Sequence, residues 1–128
     1  MTTAQSYPSQ QTTFGHERLD AYRVALEFLE LAQALSGQLP RAKGQLGDQL
    51  ERASESILLR ISEGAGAAWR SADQRRHFRA ARGSAMECAA ILDICRVRRV
   101  GDEKTHQLGR QLLLRLTQML SRLSRATS

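Results

Sequence analysis

Leu46, Leu50, Ala53, Ile57 and Ile61 stand three or four residues apart, the spacing that gathers side chains on one face of an α-helix. Leu58 lies beside that stripe. The same period recurs in three other segments of the chain. From Glu17 to about Ser36 there are two stripes, one through Leu19, Tyr22, Leu26 and Leu29 and one through Val24, Phe28, Leu31 and Leu35. Residues 72–96 carry Phe78, Ala81, Ala85, Cys88, Ala89, Leu92 and Cys95 inward, and residues 102–124 carry Leu108, Leu112, Leu116, Met119 and Leu123. Four helices with apolar faces must cover one another, and short links between them make sequence neighbours antiparallel. The expected fold is therefore all-α, an antiparallel up-down-up-down four-helix bundle over residues 17–124, with helices at about 17–36, 45–63, 72–96 and 102–124.

The links carry the stop signals this reading needs. Gly37, Pro40 and Gly44 punctuate the first. The second opens with Gly64 and Gly66, either of which can take the left-handed conformation that closes a helix, and Ser71 with Gln74 fits a capping box that opens the next one. VRRVGD (97–102) is the third, and its Asp102 is suited to cap the last helix. Residues 1–16 are rich in Ser, Thr, Gln and Pro over 1–15, without apolar periodicity, and are expected to form a flexible tail, as are 125–128. The glycines in GAGAAW (64–69) follow a helix rather than a strand and lack the third glycine of a dinucleotide fingerprint, so the stretch is a helix end and not a phosphate loop.

Two prolines and an abundance of Leu, Ala, Arg, Gln and Glu agree with helix. No apolar run of about 18 residues is present, and the first 16 residues lack the apolar core of a secretory signal. A soluble, cytoplasmic protein is expected. Cys88 and Cys95, separated by seven residues and so about 10.5 Å along a helix, are too far apart for a disulfide within it and read as reduced core residues.

The charge is uneven along the chain. Residues 17–63 hold six basic and eight acidic side chains, whereas 64–128 hold thirteen basic and five acidic, with no acid after Glu103. Arg75, Arg79 and Arg82 share one helix face, with Arg76 beside them and Arg70 just before. Such a ridge suits phosphate oxygens, which guanidinium groups bind bidentately, while Trp69 is the sole aromatic neighbour in sequence that could stack on a base. RNA or DNA bound there would be held by its backbone. The alternative is a solvated face that serves solubility on a protein-interaction module.

Catalytic and metal readings find little support. His16, His77 and His106 are scattered, and HxxxH, HExxH and CxxC are absent. Neither a cofactor nor an enzymatic activity is expected. Glu63 and Glu87 stand beside small residues on helices that pack inward, and Arg52 is placed to reach Glu87 across the interface, so these three are candidates for a structural polar pair or cap.

The runs LGDQLERASESILLRISEGAG (46–66) and FRAARGSAMECAAIL (78–92) resemble the four-helix-bundle family named for proteins encoded in intervening sequences of bacterial 23S ribosomal RNA genes. Gln49, Leu50, Arg52, Ala53, Ser56, Ile57, Ile61, Glu63, Gly64 and Gly66 match that family's second helix, and Gly83, Ser84 and Glu87 match its third. LDAYRVALEF (19–28) is similar to its first. The chain departs from the pattern at Arg60, where the family usually has Asn, and at Trp69, in a connection that is usually basic or polar. The resemblance implies a left-handed bundle that assembles into a homopentamer, with no enzymatic activity. It also implies kinship with accessory proteins of diversity-generating retroelements, similar basic pentamers that bind a reverse transcriptase and nucleic acid. Self-association agrees with a first helix that is apolar on two faces.

Overall fold

A computed structural model describes residues 12–39 and 45–125. Four helices and no strand occur among them: α1 (Thr12–Ser36), α2 (Gln45–Gly66), α3 (Ala72–Val97) and α4 (Glu103–Leu123). Each helix packs on its neighbours in sequence and α4 closes on α1. Ser56 lies against Ser84 and Gly64 against Gln74, which makes α2 and α3 antiparallel. Arg79 reaches Ser124, and Arg96 reaches Glu103, so α3 and α4 are antiparallel too. Leu35 packs at Gly101, and Phe28 and Leu31 at Gly109, which sets α4 against α1 in the same sense. The result is the expected up-down-up-down bundle.

Its core is a continuous apolar cluster with Phe28, Leu35, Leu50, Ile57, Ile61, Phe78, Leu116 and Leu120 almost wholly inaccessible. On α1 the inward line is Ala21, Val24, Ala25, Phe28, Ala32 and Leu35. The other stripe of that helix stays outside, with Tyr22 and Leu29 half-buried and Leu26 exposed. Its Leu19 belongs to residues 12–19, whose side chains lie outside the description. Helix α1 begins at Thr12 rather than near Glu17, because extending a helix already anchored by packing adds one hydrogen bond per residue without a new nucleation cost. The rest of the expected N-terminal tail, residues 40–44 of the first link, and residues 126–128 lie outside the described residues.

The stripe predicted for α2 is buried as expected, with Leu58 beside it. On α3, Ile91 and Gln74 join the predicted set, of which Ala89 is only partly buried. The α4 stripe is rotated from the predicted one: Gly109, Leu112, Leu113, Leu116 and Leu120 face inward, Leu108 is exposed, and Met119 and Leu123 are only partly buried. Leucine crowds that helix on several faces, so periodicity alone favours none. Gly109 breaks the tie by admitting close neighbours: a Cβ there would stand 2.9 Å from Leu92 Cδ1.

The second link corrects another expectation. Neither Gly64 nor Gly66 turns left-handed; both stay in α2, which ends at Gly66 rather than Glu63. Gly64 is required for space, since a Cβ at that position would stand 2.6 Å from Phe78 Cε1. The left-handed residue of this link is Arg70, at φ 60°. Ser71 does cap α3, accepting the Gln74 N–H at 3.0 Å. The Gln74 side chain does not close the box on Ser71. It is buried, accepts the Arg70 N–H at 2.9 Å and donates to the Gly64 carbonyl at 2.9 Å, which ties the start of α3 to the end of α2.

The third link is a Schellman motif at the end of α3. Val100 N–H donates to the Cys95 carbonyl at 2.9 Å and Arg99 N–H to that of Arg96 at 3.1 Å, with Arg99 left-handed at φ 61° in the place glycine usually takes. Gly101 follows at φ 82° under Leu35. Asp102 caps α4 as predicted, accepting the Thr105 N–H at 2.8 Å. His106, buried one turn on, has Nε2 at 2.7 Å from the Val100 carbonyl and donates to it, so the link is fastened from inside.

Candidate functional site

The arginine ridge forms along α3, but its members have different surroundings. Arg76 pairs with Asp73 one turn before it, and the hydrogen bond it donates, more than its charge, holds the Asp73 carboxyl below its ordinary range. Arg75 turns back to donate to the Arg70 carbonyl at 2.7 Å. Arg70 itself lies over the exposed Trp69 ring, 5.1 Å from its centroid, a cation–π contact that occupies the indole face first considered for stacking on a base. Arg79 donates to the Ser124 carbonyl at 3.4 Å, at the C-terminal end of α4 where the helix dipole favours a cation. Arg82 is exposed.

Tertiary structure adds cations that the α3 ridge does not contain. Because α4 runs antiparallel to α3, its last turn returns to the ridge, and Arg122 and Arg125 line the same groove as Arg82. This groove, about 530 Å³, follows the α3–α4 seam to Arg96 and Arg110 at its other end. Arg96 also bridges to Glu103 at 2.9 Å. The groove floor is apolar, with Met86, Ala89, Leu92, Leu113 and Leu114, and one acid, Asp93, stands among the lining residues. The signal in sequence was the basic run on α4; what was missing was its position against α3.

The predicted polar pair is not formed. Arg52 and Glu87 are both exposed, and no ion pair joins them among the described residues. Charges on an open surface lose little by staying hydrated, so register alone does not bring them together. Glu63 is also more exposed than expected, its side chain 56% accessible; it pairs with Arg60 at 3.5 Å, and the same Arg60 nitrogen links it to His77, whose Nδ1 lies 3.5 Å from that carboxylate oxygen. His77 Nδ1 accepts from Arg60 Nη1 at 3.2 Å, which leaves its proton on Nε2, 3.6 Å from Asp73 Oδ2. Glu63, His77 and Asp73 therefore form a polar seam on the flank of the α2–α3 interface, continued by the Ser56–Ser84 contact at 2.9 Å. None of the three lines the groove described above.

Cys88 and Cys95 are free and buried in the core. Burial, reinforced by the charge of Glu87, pushes the Cys88 thiol up to about 12, and burial raises Cys95 as well. Both thiols are thus poor nucleophiles. Among the described residues no three His, Cys, Asp or Glu side chains converge as metal ligands, and no helix is long and apolar enough to cross a membrane.

The family model for the 23S rRNA-intervening sequence protein matches residues 17–122, which includes all of α2 and α3 and nearly all of α4. The chain belongs to that family. The match covers the residues whose resemblance suggested it, including the Glu63–Gly64 step, whose glycine is the contact point for Phe78, and the Gly83–Ser84 segment, whose serine faces Ser56. No curated protein matches the chain. Family membership agrees with the four-helix architecture and assigns no reaction.

Proposed function

We propose that this family member is a non-enzymatic, cytoplasmic, homo-oligomeric scaffold that binds the phosphodiester backbone of RNA or DNA. The observation that carries the reading is the basic corner at which α4 ends against α3. Arg79 and Arg82 of α3 meet Arg122 and Arg125 at the end of α4, with Arg75 and Arg76 continuing the charge along α3 and Arg70 in the link before it. Guanidinium groups fixed on two rigid helices suit phosphate oxygens, and recognition of this kind carries little sequence preference. Free, buried cysteines fit a reducing compartment. The outer stripe of α1, where Leu26 is 39% exposed, supports self-association. A pentamer, the assembly implied by the family resemblance, would carry about +30 formal charge at +6 per chain and attract polyanions by multivalency.

Anisotropy titration against fluorescent structured RNA, single-stranded DNA and duplex DNA at several salt concentrations tests the reading. Affinity should fall linearly with salt on logarithmic axes, and each phosphate contact should add about 0.7–0.9 to the slope. The Arg79→Glu/Arg82→Glu double variant should lose binding while its circular dichroism is unchanged. A folded double variant that binds like the parent removes this corner from the proposal. Light scattering gives the oligomer number.

A second reading, a module that binds another protein such as a reverse transcriptase, is favoured by the apolar floor of the α3–α4 groove, which a phosphate backbone has no group to cover.

A further inference from the structure

The middle of the α3–α4 groove is unlike its ends. Arg82, Arg122 and Arg125 stand at one end and Arg96 and Arg110 at the other. Between them Met86 and Leu114 project from the two helices with 56% and 49% of their surfaces exposed, over a deeper floor of Leu92 and Leu113. Along α3 the span from Arg82 to Arg96 is about 21 Å at 1.5 Å per residue, the length of about four helical turns. A trough between two antiparallel helices accepts a third helix laid along it, ridges into groove.

On the protein-interaction reading, we propose that this groove docks an acidic amphipathic helix of a partner protein. The partner's apolar residues, at i, i+3 or i+4, and i+7, would lie over Met86 and Leu114, and Glu or Asp residues flanking that stripe would meet the arginines at either end. Charge complementarity selects this occupant. Five arginines and a single acid, Asp93, line the groove. The Arg96–Glu103 pair is exposed on both sides, so Arg96 can exchange Glu103 for a partner carboxylate at little cost. The chain's own residues 1–11 contain no Asp or Glu and so lack the charge to fill the groove. A nucleic-acid backbone can meet the arginines but leaves Met86 and Leu114 in water.

A fluorescein-labelled peptide of about 15 residues with a leucine stripe flanked by glutamates, and a scrambled peptide of the same composition, should be titrated into the full-length protein. The striped peptide should bind at least ten-fold more tightly than the scrambled one and gain helicity on binding. Leu114→Glu, Met86→Glu and Arg110→Glu should each weaken it at least ten-fold, and two exposed positions on different helices guard against a single misfolded variant. Equal affinity for the two peptides, or indifference to both Leu114→Glu and Met86→Glu, would overturn the proposal by reducing the groove to a charged surface. If the peptide fails to bind and Leu114→Glu instead releases smaller species in light scattering, the groove belongs to a second copy of the chain and the proposal is again overturned. RNA titrated against the same variants separates this proposal from nucleic-acid binding: phosphate contacts at Arg79 and Arg82 should survive Leu114→Glu, whereas peptide binding should not.

Discussion

Gly64→Ala is the most direct perturbation of the α2–α3 contact. In an open helical position this change stabilises by roughly 0.5–1 kcal/mol, because alanine loses less backbone freedom on folding than glycine. At position 64 the new Cβ would stand 2.6 Å from Phe78 Cε1, 2.9 Å from Cδ1 and 3.1 Å from Cζ. The ring is 1% exposed, so it has no solvent to move into. Overpacking costs about 1–3 kcal/mol, and so close an approach to a buried ring belongs in the upper half of that range, at about 2–3 kcal/mol, which leaves a net loss of about 1–2.5 kcal/mol after the propensity gain. Gly83→Ala is the matched control, because it lies in the interior of α3 and a Cβ there meets nothing within 4 Å. It should gain about 0.5–1 kcal/mol. Urea unfolding followed at 222 nm, at one fixed protein concentration since self-association would shift the midpoint, should move the two variants in opposite directions. Adding Phe78→Leu to Gly64→Ala should recover part of the loss as a measurable coupling energy. A Gly64→Ala protein as stable as the parent would falsify the packing account of this glycine.

Gln74→Ala should cost about 1–3 kcal/mol, because it leaves the Arg70 N–H without its acceptor and the buried Gly64 carbonyl with the Ala67 N–H as its remaining donor; thermal melts check this, and an unchanged midpoint would mean water replaces the side chain freely. The Cys88 thiol, buried and pushed up to about 12, should react with a thiol reagent at pH 8 only as fast as the bundle opens, so labelling rates should rise with urea along the unfolding curve. Fast stoichiometric labelling of native protein would contradict the buried placement. Asp102 has its carboxyl held below the ordinary range, chiefly by hydrogen bonding to Thr105. Its contribution to stability is therefore complete above about pH 4 and is lost as pH falls through the lower folded value. Asp102→Asn, which keeps a capping oxygen without the titration, should flatten that part of the acid limb when melting temperatures at pH 7 and pH 3 are compared.

The helices were legible because each carries a repeated 3–4 stripe and an identifiable start or stop, as with Asp102 and Ser71. Legibility failed where several residues satisfied the same local rule. The leucines of α4 allowed more than one inward face, and Gly109 chose among them by admitting Leu92. Glycines in the EGAG segment fitted a left-handed helix end, yet Gly64 is needed for the Phe78 ring while Arg70 and Arg99 carry the positive φ angles. The Arg52–Glu87 pair had suitable spacing, but exposed charges are not drawn together by spacing.

Sequence by itself determined the four amphipathic helices, the approximate extent of the bundle, the caps at Ser71 and Asp102 and the concentration of positive charge in the second half, all of which depend on residues within a few turns of one another. Tertiary structure alone decided which arginines share a surface. Arg82 and Arg122 are forty residues apart and line one groove because α3 and α4 are antiparallel. The same packing decided that Gln74 is a buried latch and that Arg60 links Glu63 of α2 to His77 of α3. These are relations between helices, set by register and rotation about each axis, and a local period in the sequence specifies neither.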